Sequence, residues 1–389
     1  RMLFKPRWLL HVALLLSALL LALPVLVVLA SWLQRDAQAL ALMQEMARTV
    51  LPDYVGTTAL LCVLVSLGVM SMGTVSAALV TLVDFPLRRQ LEWALLLPMA
   101  LPAYVVAYAY TDFLQFSGPL QVALREQFGL QGRVLPEIRN VWGAAVVFTV
   151  TLYPYVYLLV RTALTERASH LMEAARLLGA SLPRRVARVA LPLARPAVAA
   201  GVALALMETV ADFGTVTYFG VQTLTTGVFS TWLSGGNAGG AAQIAGVIMA
   251  LILTLVAIER VSRRNARFHR AARHARPIEP LSLPGWRGTM AFGLCLLPFA
   301  MGFLLPVGVM LIHAFANPAV WLAKGLLEAA LNTLMVGGIA AVVTVGAALF
   351  LVYGVRMAGR GVARVVLPVT MLGYAAPGAV LAVGLLVPL

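Results

Sequence analysis

The residues best suited to chemistry are two carboxylates in a long apolar run. Glu208 and Asp212 are four positions apart, so on one continuous helix they would share a face. Carboxylates in an apolar segment without a neighbouring basic residue are costly, and by default they mark a water-filled path. Tyr218, ten residues beyond Glu208, and Tyr104 on an earlier apolar segment add phenol oxygens. The sequence therefore predicts a polar path at these four residues, with oxygen ligands that suit hard cations.

The same region also allows a structural interpretation, which the spacing leaves open. Asp212 would cap a helical turn that follows it, because an aspartate side chain accepts hydrogen bonds from backbone N–H groups. Glu208 would bond to a neighbouring apolar segment. Tyr104 shares a helical face with Tyr108 and both would line the path, but an aromatic belt at the outer membrane interface explains Tyr108 and Tyr110 as well.

The composition requires these segments to lie in a membrane. Of the 389 residues, 61% are hydrophobic and 11% are charged, and the mean hydropathy is +0.91. A soluble domain has about a quarter charged residues, and several apolar runs here exceed the roughly 20 residues that cross a bilayer. We therefore expect an all-α, polytopic helical bundle with nine apolar spans, near residues 9–32, 56–83, 92–114, 141–161, 196–218, 241–259, 290–313, 330–355 and 365–389.

The distribution of positive charge predicts the orientation in the membrane. The net charge is +14, and the basic residues cluster in short connections between apolar runs, as is typical of cytoplasmic loops. This placement indicates a lipid bilayer rather than nucleic acid as the partner. Because the basic connections alternate with balanced or acidic ones, we expect a multi-pass protein with a cytoplasmic N-terminus. The most basic connection, at 260–287, is expected to rest against anionic lipid.

An internal repeat organises the chain. A shift of 275 positions superimposes five residues of one span on identical residues of a later span: Leu97 on Leu372, Ala100 on Ala375, Pro102 on Pro377, Val105 on Val380 and Ala107 on Ala382. Repeats in transporters commonly meet around the substrate path. The predicted units are an N-terminal span with a periplasmic segment (1–55), a first repeat (56–260), a basic cytoplasmic linker (261–289) and a second repeat (290–389). The second repeat is expected to be incomplete, because it stops before its own copy of the loop at 163–195.

That loop carries the second set of candidate residues. Gly179 suits the left-handed conformation that ends a helix, and Ser181 with Pro183 predicts the start of a second short helix. The expected result is a helix–turn–helix on the cytoplasmic face, bounded by Pro192 and Pro196. The apolar residues of the loop's first helix recur at helical spacing and predict one apolar stripe, formed by Ala168, Leu171, Met172, Ala175 and Leu178. An ordinary amphipathic surface helix, without a partner, explains this spacing as well.

The spacing in this loop resembles that of a known family. A Glu-Ala-Ala triplet is followed by three residues and a glycine, then by nine residues, a branched residue, one further residue and Leu-Pro. This pattern is similar to the coupling loop of ABC importer permeases, in which isoleucine usually stands at the position of Val189. The resemblance implies that the helix docks into a groove on a cytoplasmic ABC ATPase dimer, where Glu173 would pair with a basic residue. The implied ATPase-coupling residues are Glu173, Ala174, Ala175, Gly179, Leu191 and Pro192.

A second stretch resembles one group within that family. Residues 208–227 read Glu-Thr-Val-Ala-Asp-Phe-Gly-Thr-Val-Thr-Tyr-Phe-Gly-Val-Gln-Thr-Leu-Thr-Thr-Gly. This is similar to the binding-protein-dependent permeases for ferric iron, single chains with two fused permease repeats, and the resemblance covers about 56–389. It implies a type I ABC importer permease fold in the bacterial inner membrane, with cargo delivered by a periplasmic substrate-binding protein. Thiamine and polyamine permeases are close relatives and stay open as alternatives.

Other classes of protein fit the sequence less well. Serine hydrolases typically show Gly-x-Ser-x-Gly and zinc proteases His-Glu-x-x-His, and the sequence has neither, so no catalytic residue is predicted. A phosphate-binding loop needs Gly-Lys-Ser/Thr, but the two lysines, Lys5 and Lys324, do not follow glycine. We therefore expect no cofactor and no fixed metal in this chain, with ATP and Mg²⁺ on a separate ATPase. An ion-coupled secondary transporter would explain Glu208 and Asp212 but not the loop at Glu173.

Overall fold

In the computed structural model the chain is a bundle of helices. The structure describes residues 7–33, 37–165, 169–266 and 280–386, and within them strand occurs only as two short segments, β1 (Val83–Asp84) and β2 (Leu281–Ser282), which pair in parallel. The helices before residue 267, which we call the first half, are α1 (Arg7–Ala30), α2 (Ala37–Arg48), α3 (Leu51–Leu82), α4 (Arg88–Ala94), α5 (Ala103–Leu114), α6 (Pro119–Phe128), α7 (Val141–Ala163), α8 (Ser169–Leu177), α9 (Leu182–Arg185), α10 (Leu191–Ala211), α11 (Gly214–Tyr218), α12 (Leu224–Phe229) and α13 (Ala238–Ala266). The helices after residue 279, the second half, are α14 (Trp286–Phe299), α15 (Leu305–Ala316), α16 (Leu326–Ala358), α17 (Arg360–Ala375) and α18 (Gly378–Leu386).

Among the described residues, seven helical stretches are long and apolar enough to cross a membrane. They are Trp8–Ala30, Leu51–Leu82, Val141–Ala163, Val186–Ala211, Ala238–Ile258, Trp286–Ala316 and Leu326–Ala358. The predicted third span is instead a pair of helical stretches, Arg88–Ala100 and Ala103–Phe128, bent by 95°. The predicted ninth span is divided between α17 and α18. The all-α polytopic fold is confirmed, and seven of the nine expected spans are continuous.

The fifth span differs from the prediction at both ends. It begins at Val186 rather than near 196, because a π-helical turn (Val186–Ala190) joins α9 directly to α10. Pro192 is the second residue of α10, which begins directly after the π-helical turn, and Pro196 also lies inside this helix. The prediction that these prolines bound a loop is therefore wrong. The helix ends at Ala211, and Asp212 is its C-cap residue: the N–H of Asp212 still donates to the carbonyl of Glu208 (3.0 Å), but its ψ of 130° turns the following chain out of the helix.

The core of the first half is built around α7. Both α3 and α10 pack against this helix, and the three meet at Val156. A Cβ added at Gly73 of α3 would lie 2.7 Å from the Cβ of Val156, and one added at Gly201 of α10 would lie 2.6 Å from its Cα. Small residues let membrane helices approach closely. The two glycines are therefore what brings α3 and α10 onto α7.

Enlarging either glycine is expected to destabilise this junction. Gly73→Leu and Gly201→Leu each insert a side chain where atoms of α7 leave no room, which costs about 3 kcal/mol, near the top of the usual range for an overpacked core. Gly293→Leu on α14 is the matched control, because nothing lies within 4 Å of its added Cβ. Thermal unfolding in detergent measures the effect. Equal melting temperatures for all three variants would contradict the packing described here.

Side chains of α7 hold the bent third span in place. Inside a bilayer, no water is available to the backbone groups that a bend releases from helical hydrogen bonding. The hydroxyl of Tyr153 donates to the carbonyl of Leu95 (2.9 Å), and the hydroxyl of Tyr157 donates to the carbonyl of Glu92 (2.9 Å). Arg161 pairs with the carboxylate of Glu92. These contacts satisfy polar groups of the bent segment and fix its position against the core.

The two predicted repeats break at equivalent positions. Leu101, just before Pro102, is extended (φ −101°, ψ 126°), and α5 begins directly after the proline, at Ala103. Ala376, just before Pro377, is extended (φ −82°, ψ 124°), and α18 begins directly after the proline, at Gly378. Proline disfavours helical backbone in the residue that precedes it, which explains both breaks. This agrees with the predicted shift of 275 positions. The unit boundaries stay predictions, and linker residues 267–279 lie outside the described part of the chain.

Exposed tryptophans mark the two ends of the bundle. One end, which we call the strand end, contains the β1–β2 pair together with Trp8, Trp93 and Trp286. The opposite end contains Trp32, Trp142 and Trp321. Tryptophan concentrates at membrane–water boundaries because its ring is apolar and its N–H is polar. The two sets therefore outline the bilayer. At the opposite end the two halves are also joined directly, since His313 Nε2 lies 2.7 Å from a carboxylate oxygen of Asp112.

Candidate functional site

The first part of the candidate site is α8 and the turn that follows it, at the strand end. The N–H of Gly179 donates to the carbonyl of Arg176, and the N–H of Ala180 donates to the carbonyl of Ala175, both at 3.0 Å. This pair of bonds requires a left-handed residue after the helix, and Gly179 has φ +78°. The chain then turns into α9. Gly179 therefore ends the helix in the way that its sequence position predicted.

The motif residues of this element connect a surface helix to a membrane span. Glu173 and Ala174 on α8 are exposed, and Ala175 is partly buried. Leu191 and Pro192, the last two residues of the motif, form the start of α10. Because α9, the π-helical turn and α10 follow one another without a break, the second half of the motif is part of a helix that crosses the membrane.

The apolar residues of α8, which were predicted to form one apolar stripe, differ widely in exposure. Met172 is buried, with 4% of its surface exposed, but Leu171 is half-exposed and Leu178 is 87% exposed. Leu177, beside it, is 88% exposed. Ala168 lies outside the described residues. A pair of exposed leucines next to an exposed glutamate is a surface suited to contact with another molecule.

Asp212 supports the first turn of α11. Its carboxylate accepts hydrogen bonds from the backbone N–H of Thr215 (2.7 Å), the hydroxyl of Thr215 (3.1 Å) and the backbone N–H of Val216 (3.4 Å). The first turn of a helix leaves N–H groups without helical partners, and an aspartate satisfies them. Of the two interpretations that the sequence left open, the structure shows the capping arrangement for Asp212.

Glu208 lies in the last turn of α10 and faces a cavity between the two halves. The hydroxyl of Tyr155 on α7 donates to its carboxylate across 3.4 Å. The cavity has a volume of ≈ 210 Å³. Among the described residues that line it, Glu208 is the one charged side chain. The first half contributes Tyr155, Leu204, Met207, Glu208 and Ala211, and the second half contributes Ala376, Pro377 and Gly378.

Tyr104 and Tyr218 lie apart from this cavity, around α11. The carbonyl of Tyr218 accepts two hydrogen bonds from the guanidinium of Arg139 (2.8 and 3.1 Å). The ring centroids of Tyr218 and Tyr108 are 6.3 Å apart. Tyr104 packs beside Gly214, whose added Cβ would lie 3.3 Å from the tyrosine Cβ. The structure therefore gathers the predicted tyrosines in one cluster but does not bring them to the carboxylate cavity.

Tyr110 has a different role from the aromatic belt suggested by its sequence position. Its side chain is buried, and its hydroxyl donates to the carbonyl of Met301 (3.0 Å). The belt explanation is therefore wrong for this residue. Its hydrogen bond joins α5 of the first half to the π-helical turn (Ala300–Leu304) of the second.

The threonines of the 208–227 stretch hold a buried helix, α12. Thr223 and Thr226 accept hydrogen bonds from each other's backbone N–H, which caps this helix. The hydroxyl of Thr225 donates to the carbonyl of Val210 (2.5 Å), and the N–H of Leu224 donates to the hydroxyl of Thr58 (3.1 Å). This part of the stretch therefore positions the chain beyond α10.

Sequence reasoning missed Tyr155 and the cavity wall at 376–378. Two weak signals pointed to them. Tyr155 lies between two other tyrosines in a span that is otherwise apolar, and Pro377 is the repeat counterpart of Pro102. Neither signal says what these residues face, because the cavity forms between three separate segments, at 155, 204–211 and 376–378.

Comparison with known proteins assigns the chain to a family. Residues 70–265 match the family described as the binding-protein-dependent transport system inner membrane component. The chain belongs to this family. The matched part of the permease runs from α3 to α13, so it contains α8, its glycine turn and the first-half wall of the Glu208 cavity.

The permease is similar to transport proteins named for different cargoes. It is 26% identical over 313 residues to the Fe(3+)-transport system permease protein FbpB 2 of Haemophilus influenzae, covering 77% of this chain and 56% of the relative. It is 29% identical over 193 residues to the molybdenum transport system permease protein ModB of Escherichia coli, covering 47% and 82%. It is 31% identical over 147 residues to the sulfate transport system permease protein CysT of Salmonella typhimurium, covering 38% and 50%. The permease thus spans little more than half the length of FbpB 2.

Proposed function

We propose that this permease is the membrane-spanning subunit of an ATP-driven ABC importer for ferric iron in the bacterial inner membrane. A periplasmic substrate-binding protein would deliver the cargo to the end of the bundle opposite the strands. A cytoplasmic ABC ATPase dimer, which holds ATP and Mg²⁺, would supply the energy at the strand end. In this assembly the permease provides the passage, and the ATPase performs the chemistry.

The charge of the Glu208 cavity is the observation that carries the choice of cargo. Sulfate and molybdate are anions, and a carboxylate that is the one charged side chain among the described lining residues repels them. Ferric iron is a hard cation that prefers oxygen ligands, which Glu208 and Tyr155 offer. Among the cargoes in the names of the similar permeases, Fe(3+) is the one that this cavity suits.

The exposed surface of α8 supports an ATPase partner. Glu173 offers a negative charge, and Leu177 and Leu178 offer apolar surface beside it. A partner groove with a basic residue and an apolar floor would bury all three side chains. Burial of exposed apolar surface and formation of a charge pair would both favour association with such a groove.

An unbroken helical path supports the coupling of that partner to the cavity. The chain is helical from Leu182, just after the glycine turn, to Ala211, and Glu208 lies near the far end of this path. At 1.5 Å per residue, the distance along the axis from Leu182 to Glu208 is about 40 Å. A movement of α8 that tilts α9 would therefore move Glu208 as well, because α9 and Glu208 belong to one continuous helical segment.

The orientation follows from the position of α8 in this proposal. If α8 contacts a cytoplasmic ATPase, the strand end of the bundle is cytoplasmic. The helix α1 begins at this end, so the N-terminus would be cytoplasmic, in agreement with the basic connections at 88–89 and 356–364.

Cargo competition tests the proposed substrate. Proteoliposomes would contain the full-length permease with its ATPase and binding protein, and uptake of radiolabelled ferric iron, molybdate, sulfate, thiamine and a polyamine would be compared. We expect iron to accumulate and the two oxyanions to stay outside. Accumulation of an oxyanion without iron would overturn the cationic cargo. Accumulation of thiamine or a polyamine in place of iron would keep a cationic passage and overturn the assignment to iron.

A further inference from the structure

The Glu208 cavity contains a second polar side chain whose position is fixed by helix packing. Gly201 and Glu208 are seven residues apart on α10, so both lie on the side that faces α7. Gly201 packs against Val156, the residue that follows Tyr155. The close approach at Gly201 therefore sets the distance between the two helices, and with it the 3.4 Å separation of the Tyr155 hydroxyl and the Glu208 carboxylate.

The apolar surroundings strengthen the attraction of a cation to this pair of oxygen groups. The first-half wall beside it consists of the apolar side chains of Leu204, Met207 and Ala211. Electrostatic interactions are stronger where apolar walls displace water. The opposite wall, at 376–378, has no charged side chain, so it offers no competing cation. An ion in the cavity would therefore meet one negative oxygen group and one neutral phenol oxygen close together.

The cavity is large enough for an ion that keeps part of its water shell. Each water occupies about 30 Å³ of liquid, so the volume of ≈ 210 Å³ holds several waters in addition to an ion. A partly hydrated ion exchanges some waters for protein oxygens and is not held by a complete ligand set. This arrangement suits transient contact, which conduction requires.

We propose that Tyr155 is a selectivity-determining residue that, together with Glu208, favours trivalent cations over divalent ones. The proposal rests on the proposed function in ferric-iron import. The attraction of an ion to both oxygens increases with its charge, so a trivalent ion gains more from the pair than a divalent ion does. The phenol hydroxyl also orients the carboxylate toward the cavity through its hydrogen bond. Removing the hydroxyl weakens both effects and leaves the negative charge in place.

Ion binding to the full-length permease in lipid nanodiscs tests this proposal directly. Tb³⁺ serves as the trivalent probe, detected by its directly excited luminescence so that the signal does not depend on a nearby tyrosine, and Mn²⁺ serves as the divalent competitor. The component of Tb³⁺ binding that disappears in Glu208→Gln defines the cavity. We expect Tyr155→Phe to weaken this component about tenfold, because the ion loses the phenol oxygen as a polar contact, and a polar contact with a charged group is typically worth this much. We also expect the ratio of Tb³⁺ to Mn²⁺ affinity to fall.

Tyr157→Phe is the matched control. It removes the same hydroxyl from the same helix two residues away, but that hydroxyl donates to the carbonyl of Glu92, outside the cavity. We expect it to lower stability and to leave the Tb³⁺ to Mn²⁺ ratio unchanged. A ratio in Tyr155→Phe equal to that of the unmodified permease would overturn the proposal, as would an equal change in Tyr157→Phe.

Iron uptake by the reconstituted assembly separates this proposal from the proposed function. If the unmodified assembly imports iron but Tyr155→Phe keeps the original ion ratio, the role of Tyr155 is refuted and the importer stands. If the unmodified assembly imports no iron but Tyr155→Phe still weakens the Glu208-dependent Tb³⁺ site, the ferric-iron function is refuted and the trivalent-cation site stands.

Discussion

Glu208→Gln is expected to reduce the initial rate of ferric-iron uptake by about tenfold or more without preventing assembly. The substitution keeps the size of the side chain and removes the one charge among the described residues that line the cavity between the two halves. A hydrogen bond or close contact with a charged group is typically worth about 1.5–3 kcal/mol, which corresponds to a change in uptake rate of about tenfold or more. Uptake of radiolabelled iron into proteoliposomes measures the rate, and ATP hydrolysis by the same preparation shows that the transporter has assembled.

Asp212→Asn is the matched control for this variant. Asparagine keeps an oxygen that accepts hydrogen bonds from the backbone of Thr215 and Val216, so α11 retains its support. We expect uptake close to that of the unmodified permease. Equal losses in the two variants would favour a path that both carboxylates line, and normal uptake in Glu208→Gln would give Glu208 a structural role only.

Glu173→Ala is expected to separate ATP hydrolysis from transport. The side chain is exposed on α8, so its removal leaves the fold of the permease intact. In the proposed complex it removes the charge pair beside the leucine surface, and losing such a central interface residue typically weakens binding by about tenfold or more. We expect iron uptake to fall by at least this factor while the ATPase continues to hydrolyse ATP. The two rates are measured in the same proteoliposomes.

Glu126→Ala provides the comparison for Glu173→Ala. Glu126 is also an exposed glutamate on a short helix, α6, but it lies at the opposite end of the bundle. The ratio of iron imported to ATP hydrolysed is expected to stay unchanged in this variant. If Glu173→Ala keeps the same ratio as well, α8 does not couple the permease to its ATPase.

The features that were predictable from the sequence depend on signals close together in the chain. Long apolar runs identified the spans, because only helices of that length satisfy their own backbone groups in lipid. Gly179 was identified as a helix end because a left-handed residue after an amphipathic segment is a local requirement, and the structure gives it φ +78°. The repeat shift of 275 positions was found from local identities, and the structure places an extended residue before both Pro102 and Pro377, although both segments were predicted as unbroken spans.

The features that were not predictable depend on contacts between distant segments. Glu208 and Asp212 were predicted to act as one pair on a helical face, but the Asp212 carboxylate caps α11 and the Glu208 carboxylate pairs with Tyr155. The pairing of Glu208 with Tyr155 follows from the approach of α10 to α7 at Gly201, which no local pattern shows. The π-helical turn that joins α9 to α10 was missed for a related reason, because Pro192 and Pro196 suggested a loop boundary where the packed helix continues.

The energy source of iron uptake tests the central claim most directly. Vesicles containing the full-length permease, its ATPase and its binding protein are given radiolabelled ferric iron with and without ATP, and with and without ionophores that abolish ion gradients. We predict uptake that requires ATP and is indifferent to ionophores. Iron uptake that proceeds without ATP and is abolished by ionophores would contradict the account, because it would make this permease an ion-coupled transporter and leave α8 without its partner.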